Sequence, residues 1–123
     1  MKITTFNPLI VTSNSESVIK VFEELGFERR HSLTVNSDGN DIANVRMKDA
    51  NGFYVDIAQI DGLQRDMTMI RINVDDFDEA YEFLIGKGFR NPKDHTVDSR
   101  TNKSCCLISP SGFSFDLCQH IKD

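Results

Sequence analysis

The sequence predicts an α+β fold: two tandem βαβββ modules within a single domain of 123 residues. Three observations carry this. First, a diverged internal repeat is present. Asn51-Gly52-Phe53-Tyr54-Val55-Asp56-Ile57 returns as Ser111-Gly112-Phe113-Ser114-Phe115-Asp116-Leu117, an offset of 60, and Glu24-Leu25-Gly26-Phe27 returns in outline as Gly86-Lys87-Gly88-Phe89, an offset of 62. Second, each copy sets a helical apolar stripe after an opening strand. Third, short apolar runs separated by turn residues complete each copy. The modules cover 1–62 and 63–123, joined near Asp61-Gly62-Leu63-Gln64.

The first strand is expected over Phe6–Thr12. Its counterpart Met67–Val74 alternates cleanly, with Ile70, Ile72 and Val74 on one face and Met69, Arg71 and Asn73 on the other. A helix follows each. Ser13 with Glu16, and Asp76 with Glu79, have capping-box spacing. Val18, Val21, Phe22 and Leu25 form the stripe of the first helix; Phe77, Ala80, Tyr81 and Leu84 form that of the second, with Phe83 beside them. Gly26 and Gly88 suit the left-handed position that ends a helix. Three strands then complete the first copy near Glu28–Asn36, Ile42–Lys48 and Phe53–Ile60, with turns at 37–40 and 49–52. In the second copy they lie around His95–Asp98, Ser104–Ile108 and Phe113–Gln119, with a turn at Ser109-Pro110-Ser111-Gly112.

Composition excludes several functions. Fourteen Lys+Arg against nineteen Asp+Glu give a net charge of −5, and only Arg29-Arg30 adjoin among the arginines, so no basic stripe serves a nucleic acid or an anionic membrane. No apolar run reaches the ~20 residues that span a bilayer, and the N-terminus lacks the pattern of a signal peptide. A cytoplasmic protein is expected. Cys105, Cys106 and Cys118 are odd in number and lack paired C-x-x-C spacing, which fits reduced thiols rather than a disulfide framework or a zinc site. The three histidines (His31, His95, His120) are isolated, and no Gly-rich phosphate loop is present.

The paired βαβββ units, FEELGF at 22–27, INVDDFDEAYEFLIGKGF at 72–89 and SPSGFSFDL at 109–117 resemble the vicinal oxygen chelate superfamily. That group includes glyoxalase I, extradiol dioxygenases, fosfomycin-resistance thiol transferases and bleomycin-resistance proteins. The resemblance implies a glyoxalase/bleomycin-resistance fold whose mixed sheet curls into a cup around a small organic ligand. It also implies a homodimer. Metal-dependent members place a ligand, usually His, on the first strand of a unit and another, usually Glu, on the last. Those positions here fall on Asn7 and Met69, and on Asp56 and Asp116.

Met69 offers a thioether and Asn7 an amide oxygen, whereas a divalent transition metal wants imidazole and carboxylate. Asp is also a methylene shorter than Glu. These positions read as degenerate, so no metal and no cofactor are expected, although an oxygen site for Mg or Mn stays open. By period 2, the residues expected to line the cup are Asn7, Leu9, Val11, Tyr54, Asp56, Ala58, Met69, Arg71, Asn73, Ser114, Asp116 and Cys118. Tight turns at 49–52 and 109–112 would set Val45 opposite Asp56, Met47 opposite Tyr54 and Cys105 opposite Asp116. Each polar member has two readings. Arg71 anchors an anionic ligand or neutralises an aspartate; Tyr54 packs or contacts ligand; Cys105 is the one nucleophile by position, without an evident histidine partner. The expected function is metal-independent binding of a small organic molecule. The alternative is a lyase, isomerase or dioxygenase-like enzyme using Asp56 or Asp116 as base or weak metal ligand.

Overall fold

The computed structural model describes residues 1–37, 39–98 and 102–120. Its elements run β1 (Ile3–Thr12), α1 (Ser15–Glu24), β2 (Glu28–Ser37), β3 (Asn40–Lys48), β4 (Tyr54–Gln59), β5 (Met67–Val74), α2 (Phe77–Gly86), β6 (Val97–Asp98), β7 (Asn102–Ile108) and β8 (Ser114–His120). This is the α+β, twice-written βαβββ order that the repeat predicts. Among the described residues no helix is long and apolar enough to cross a membrane.

The chain divides into two compact units, Asn7–Thr68 and Met1–Phe6 with Met69–Asp123. In the first, the strand order is β2-β3-β4-β1. β2–β3 and β3–β4 are antiparallel, and β1 closes on β4 in parallel through Leu9↔Asp56 and Val11↔Ala58. α1 covers one face, where Ile19, Met47, Val55 and Ile57 form the core, with Ile10, Val18, Phe22, Phe27 and Val45 packed against it. The helix stripe is rotated from its expected place. Val21 is 53 % and Leu25 68 % exposed, because Val18, Ile19 and Phe22 take the inward face and Val21 lies about 100° round the axis from its centre. The expected Ser13–Glu16 capping box does not form either. Asn14 is the N-cap, without a side-chain cap bond. The Asn14 N–H donates instead to Thr12 Oγ1 (3.0 Å), and the Ser15 N–H to Gln59 Oε1 (2.8 Å).

The second unit repeats the plan with order β5-β8-β7-β6. β5 and β8 are parallel, and β7 lies antiparallel to β8 and β6. Phe77 and Ala80 of α2 pack with Ile72, Val74, Cys105, Leu107 and Leu117, flanked by Tyr81, Leu84, Phe89 and Phe115. Here the cap forms as the spacing predicts: Asp76 is the N-cap and accepts from the Glu79 N–H (3.1 Å). The Glu79 carboxylate, the other half of a box, instead accepts from the Met1 ammonium (2.7 Å). Both helices end in the same way. The Phe27 N–H reaches Phe22 O (2.9 Å) and the Phe89 N–H reaches Leu84 O (3.1 Å), across glycines at φ 105° and 94°.

The two β-hairpins decide which side chains share a face. In each, a three-residue loop closes between Asp49 and Phe53, or between Ser109 and Phe113, with the last loop residue, Gly52 or Gly112, at positive φ. The Asp49 carboxylate and the Ser109 hydroxyl accept the Phe53 and Phe113 N–H groups (2.8 and 3.1 Å). This loop is one residue longer than the tight turn that the sequence reading assumed. Arg46, not Val45, therefore stands opposite Asp56, Lys48 opposite Tyr54, and Cys106, not Cys105, opposite Asp116. Met47 and Cys105, expected to line the cup, are buried in the helix-side cores.

Candidate functional site

In each unit, the sheet face turned away from the helix carries the remaining predicted residues. In the first unit that face presents Asn7, Leu9 and Val11 from β1, Arg46 and Lys48 from β3, and Tyr54, Asp56 and Ala58 from β4. Its centre is an ion pair. Arg46 Nε donates to Asp56 Oδ1 and Nη2 to Oδ2, both at 2.8 Å, a two-pronged clamp on a carboxylate only 2 % exposed. The same Nη2 reaches Asn7 Oδ1 (3.3 Å), while Asn7 Nδ2 donates to Pro8 O (3.0 Å). The arginine that holds this cluster is invisible to a reading that places Val45 there.

The second unit has the matching aspartate but a different clamp. Arg71 lies on β5 in register with Asp116 and donates from Nε to Oδ2 at 2.7 Å. The Cys118 thiol approaches the same oxygen at 3.5 Å. Of the two readings of Arg71, neutralisation of an aspartate is the one its geometry meets. The side chains are partly open, 17 % exposed for Arg71 and 16 % for Asp116, and Asn73, Cys106, Ser114 and Cys118 are half-buried beside them. Asn73 Nδ2 donates to Thr5 Oγ1 (2.7 Å). Met69 is buried on this face.

Two of the thiols are held in their protonated form. Burial, and after it the negative charge of Asp116, push the Cys105 thiol up to about 12. Burial also raises Cys106, again with Asp116, against an opposing hydrogen bond from Ser114. Cys105 is thus a core residue and not a nucleophile at neutral pH.

The four residues that the family resemblance sets at metal positions, Asn7, Asp56, Met69 and Asp116, are poorly suited to holding a metal. Both Asp56 oxygens and the Asn7 oxygen are taken up by Arg46, Asp116 is held by Arg71, and Met69 supplies only sulfur. A divalent cation would have to sit against a guanidinium already bonded to the same carboxylate. Among the described residues no three His, Cys, Asp or Glu side chains converge as a metal-holding group. His31 and His120 are exposed, and His95 bonds Lys93 O through Nδ1 (2.7 Å).

Comparison with known proteins gives the fold. No protein-family model and no curated protein matches the chain. Among solved structures, a V278E variant of glyoxalase I from Zea mays aligns with a TM-score of 0.68 at 12% identity over 96% of this chain, which spans only 43% of that protein. A glyoxalase/bleomycin resistance protein/dioxygenase superfamily member from Vibrio splendidus 12B01 aligns over 98% of this chain and 100% of its own, with a TM-score of 0.60 and 17% identity. A protein from Staphylococcus aureus aligns over 98% and 99%, with a TM-score of 0.64 and 16% identity. The chain has the fold of the vicinal oxygen chelate group, as its repeat and motifs predict.

Proposed function

We propose that this chain, on the glyoxalase/bleomycin-resistance fold, binds a small organic molecule without a metal ion, against the sheet faces turned away from its helices. The observation that carries the reading is the pair of guanidinium clamps. Asp56 and Asp116, the two carboxylates that the family resemblance sets at metal positions, are each already neutralised by an arginine of their own unit. A carboxylate so held has its lone pairs directed at N–H donors, which makes it a poor metal ligand and a poor proton acceptor. What each face still offers is recognition: Leu9 and Tyr54 in the first unit, and Met69 with the hydrogen-bonding groups of Asn73, Ser114 and Arg71 in the second. The half-open second unit gives a ligand more access than the buried Asp56 cluster does.

A thermal-shift screen of small organic compounds, with and without EDTA, tests this. A ligand at about 100 times its Kd adds about 2.7 kcal/mol of stability. For 123 residues that is a rise in Tm of about 10 °C. The expected rise is the same in EDTA and is lost in Arg71→Ala. Near-stoichiometric Ni, Zn, Fe or Mn in the purified protein, or a rise that EDTA abolishes, would overturn the metal-independent reading.

A further inference from the structure

β2 is a strand of 10 residues that hides almost nothing. Glu28–Thr34 and Asn36 are all exposed, Leu33 by 40 %, whereas a strand packed on a core hides every second side chain. It stands at the edge of its unit, in the order β2-β3-β4-β1. Alternate residues along it turn their N–H and C=O away from β3. Among the described residues no backbone bond reaches β2 from any element but β3. Support also thins toward the turn. β3 pairs with β4 only through Asn44–Lys48, so Thr34–Ser37 and Asn40–Ala43 continue as a ribbon of two strands. Such a ribbon is marginal in water, and a third strand stabilises it. β6, the corresponding strand of the second unit, has only 2 residues and offers no comparable edge.

Long edges are normally blunted by charge, proline or a bulge. β2 has such devices only at its start. Glu28, Arg29 and Arg30 are charged, a bulge falls between Arg29 and His31, and Arg29 is tied to Glu16 of α1 at 2.9 Å. From His31 to Ser37 there is no Lys, Arg, Asp, Glu, Pro or Gly. An uncharged open edge of this kind is a template for another strand. The charge pattern selects which strand. Laid antiparallel on itself about Thr34, the run sets His31 against Ser37, Ser32 against Asn36 and Leu33 against Val35. No charged residue of one β2 then opposes a charged residue of the other. Laid parallel in register, Arg29 and Arg30 would each face their own copies, a like-charge contact that costs stability. A two-fold axis at Thr34 satisfies both edges at once, as an isologous contact does.

We infer that β2 is a self-association edge: two copies of the chain pair their β2 strands antiparallel about Thr34, joining their hairpins into a four-stranded β3-β2-β2-β3 sheet. Main-chain hydrogen bonds supply the attraction, and the charges that flank the run set its direction and register. The inference goes beyond ligand binding and is independent of it, since β2 carries none of the residues assigned to the ligand.

Sedimentation velocity from micromolar to millimolar protein measures the association, and amide hydrogen exchange locates it. The expected result is a dimer whose share grows with concentration, while exchange across Ser32–Asn36 slows in step. Thr34→Lys sets two ammonium groups face to face on the axis and weakens the dimer by about tenfold or more. Thr34 is exposed, so the monomer stays folded, with the exchange pattern of its core unchanged. An equimolar mixture of Thr34→Lys and Thr34→Glu associates again, because opposite charges then meet on the axis. Val21→Lys, on the exposed flank of α1, leaves the dimer as it was. A monomer at every concentration overturns the inference, as does a dimer that forms without slowing exchange at Ser32–Asn36. Equal dimerisation of Thr34→Lys, or a mixture that fails to associate, overturns it too. A dimer broken by Val21→Lys instead sets the interface on α1 and overturns it likewise.

Discussion

Replacing Arg46 by methionine separates a structural ion pair from an ornamental one. The methionine fills most of the volume of the arginine stem but deprives Asp56 of both of its guanidinium bonds. The Asp56 side chain is 2 % exposed, so water replaces little of what is lost. Breaking a buried pair from one side costs about 3–5 kcal/mol. Removing the acid instead, as Asp56→Leu, costs less, about 2 kcal/mol, because Arg46 is 26 % exposed and can rehydrate. The double variant removes both charges and should return to within about 1 kcal/mol of the parent protein. With about 4 °C per kcal/mol for a chain of 123 residues, Arg46→Met lowers Tm by about 12–20 °C, and the double variant recovers most of it. In the second unit, Arg71→Met leaves an aspartate 16 % exposed and costs only about 1–2 kcal/mol. Urea unfolding of the five proteins measures all of these. The reasoning fails if Arg46→Met costs no more than Arg71→Met, or if the double variant is as unstable as the worse single one.

The remaining predictions probe particular atoms. With its thiol pushed up to about 12, Cys105 reacts with iodoacetamide at pH 7.4 roughly a thousandfold more slowly than a free cysteine, read by peptide mass spectrometry on native protein; alkylation at the rate of glutathione would contradict its burial. Asp76→Ala costs about 1 kcal/mol by loss of a helix cap, whereas Ser13→Ala is near neutral, and equal losses would contradict the observed caps. Gly88→Ala is costlier than Gly26→Ala. Both sit at positive φ, but only at Gly88 would the new Cβ meet a neighbour, Pro110 Cγ at 3.0 Å, so a similar Tm for the two would argue against that packing.

What was legible in the sequence followed from periods and offsets. The repeat of 60 residues, the alternation over Met67–Val74 and the glycines after each helix fix element order and the faces of the β4, β5 and β8 residues, while the bulge between Arg29 and His31 breaks the alternation of β2. Tyr54, Asp56, Arg71, Asn73, Ser114 and Asp116 all lie on the side that alternation assigns. Pairing between strands is a different quantity, set by loop length, and there the reading slipped by one residue. The signal was available. A polar residue followed three places later by glycine, as in Asp49-Ala50-Asn51-Gly52 and Ser109-Pro110-Ser111-Gly112, is the pattern of a three-residue loop ending in a left-handed glycine, with the polar side chain capping the turn. Read that way, Arg46 and Lys48 would have come forward, and Met47 and Cys105 would have gone to the core. The rotation of α1 was less accessible. Val18, Val21, Phe22 and Leu25 make as good a stripe as the one observed, and only tertiary contact selects Ile19 over Val21.

The repeat also explains how the two aspartates came to be held differently. Asp56 and Asp116 are equivalent positions, each flanked by one antiparallel and one parallel neighbour. Around Asp56 these are Arg46 and Leu9; around Asp116 they are Cys106 and Arg71. Each aspartate thus has one arginine and one uncharged neighbour, but the arginine comes from opposite sides. A buried carboxylate needs a single counter-charge, and two would leave a surplus cation as costly as the original anion. Either neighbouring strand satisfies that need, so the duplicated sheet has two equivalent solutions and uses one in each unit. The consequence is a difference in what stands beside each clamp. In the first unit the clamp comes from β3, which also carries Lys48 two residues along, on the same face and beside Tyr54. In the second unit the residue two places beyond Cys106 is Ile108, opposite Ser114, and the further cation that acts on Cys106 is Lys93, from outside the sheet. The two units thus neutralise equivalent aspartates from opposite neighbouring strands and set different side chains beside each clamp.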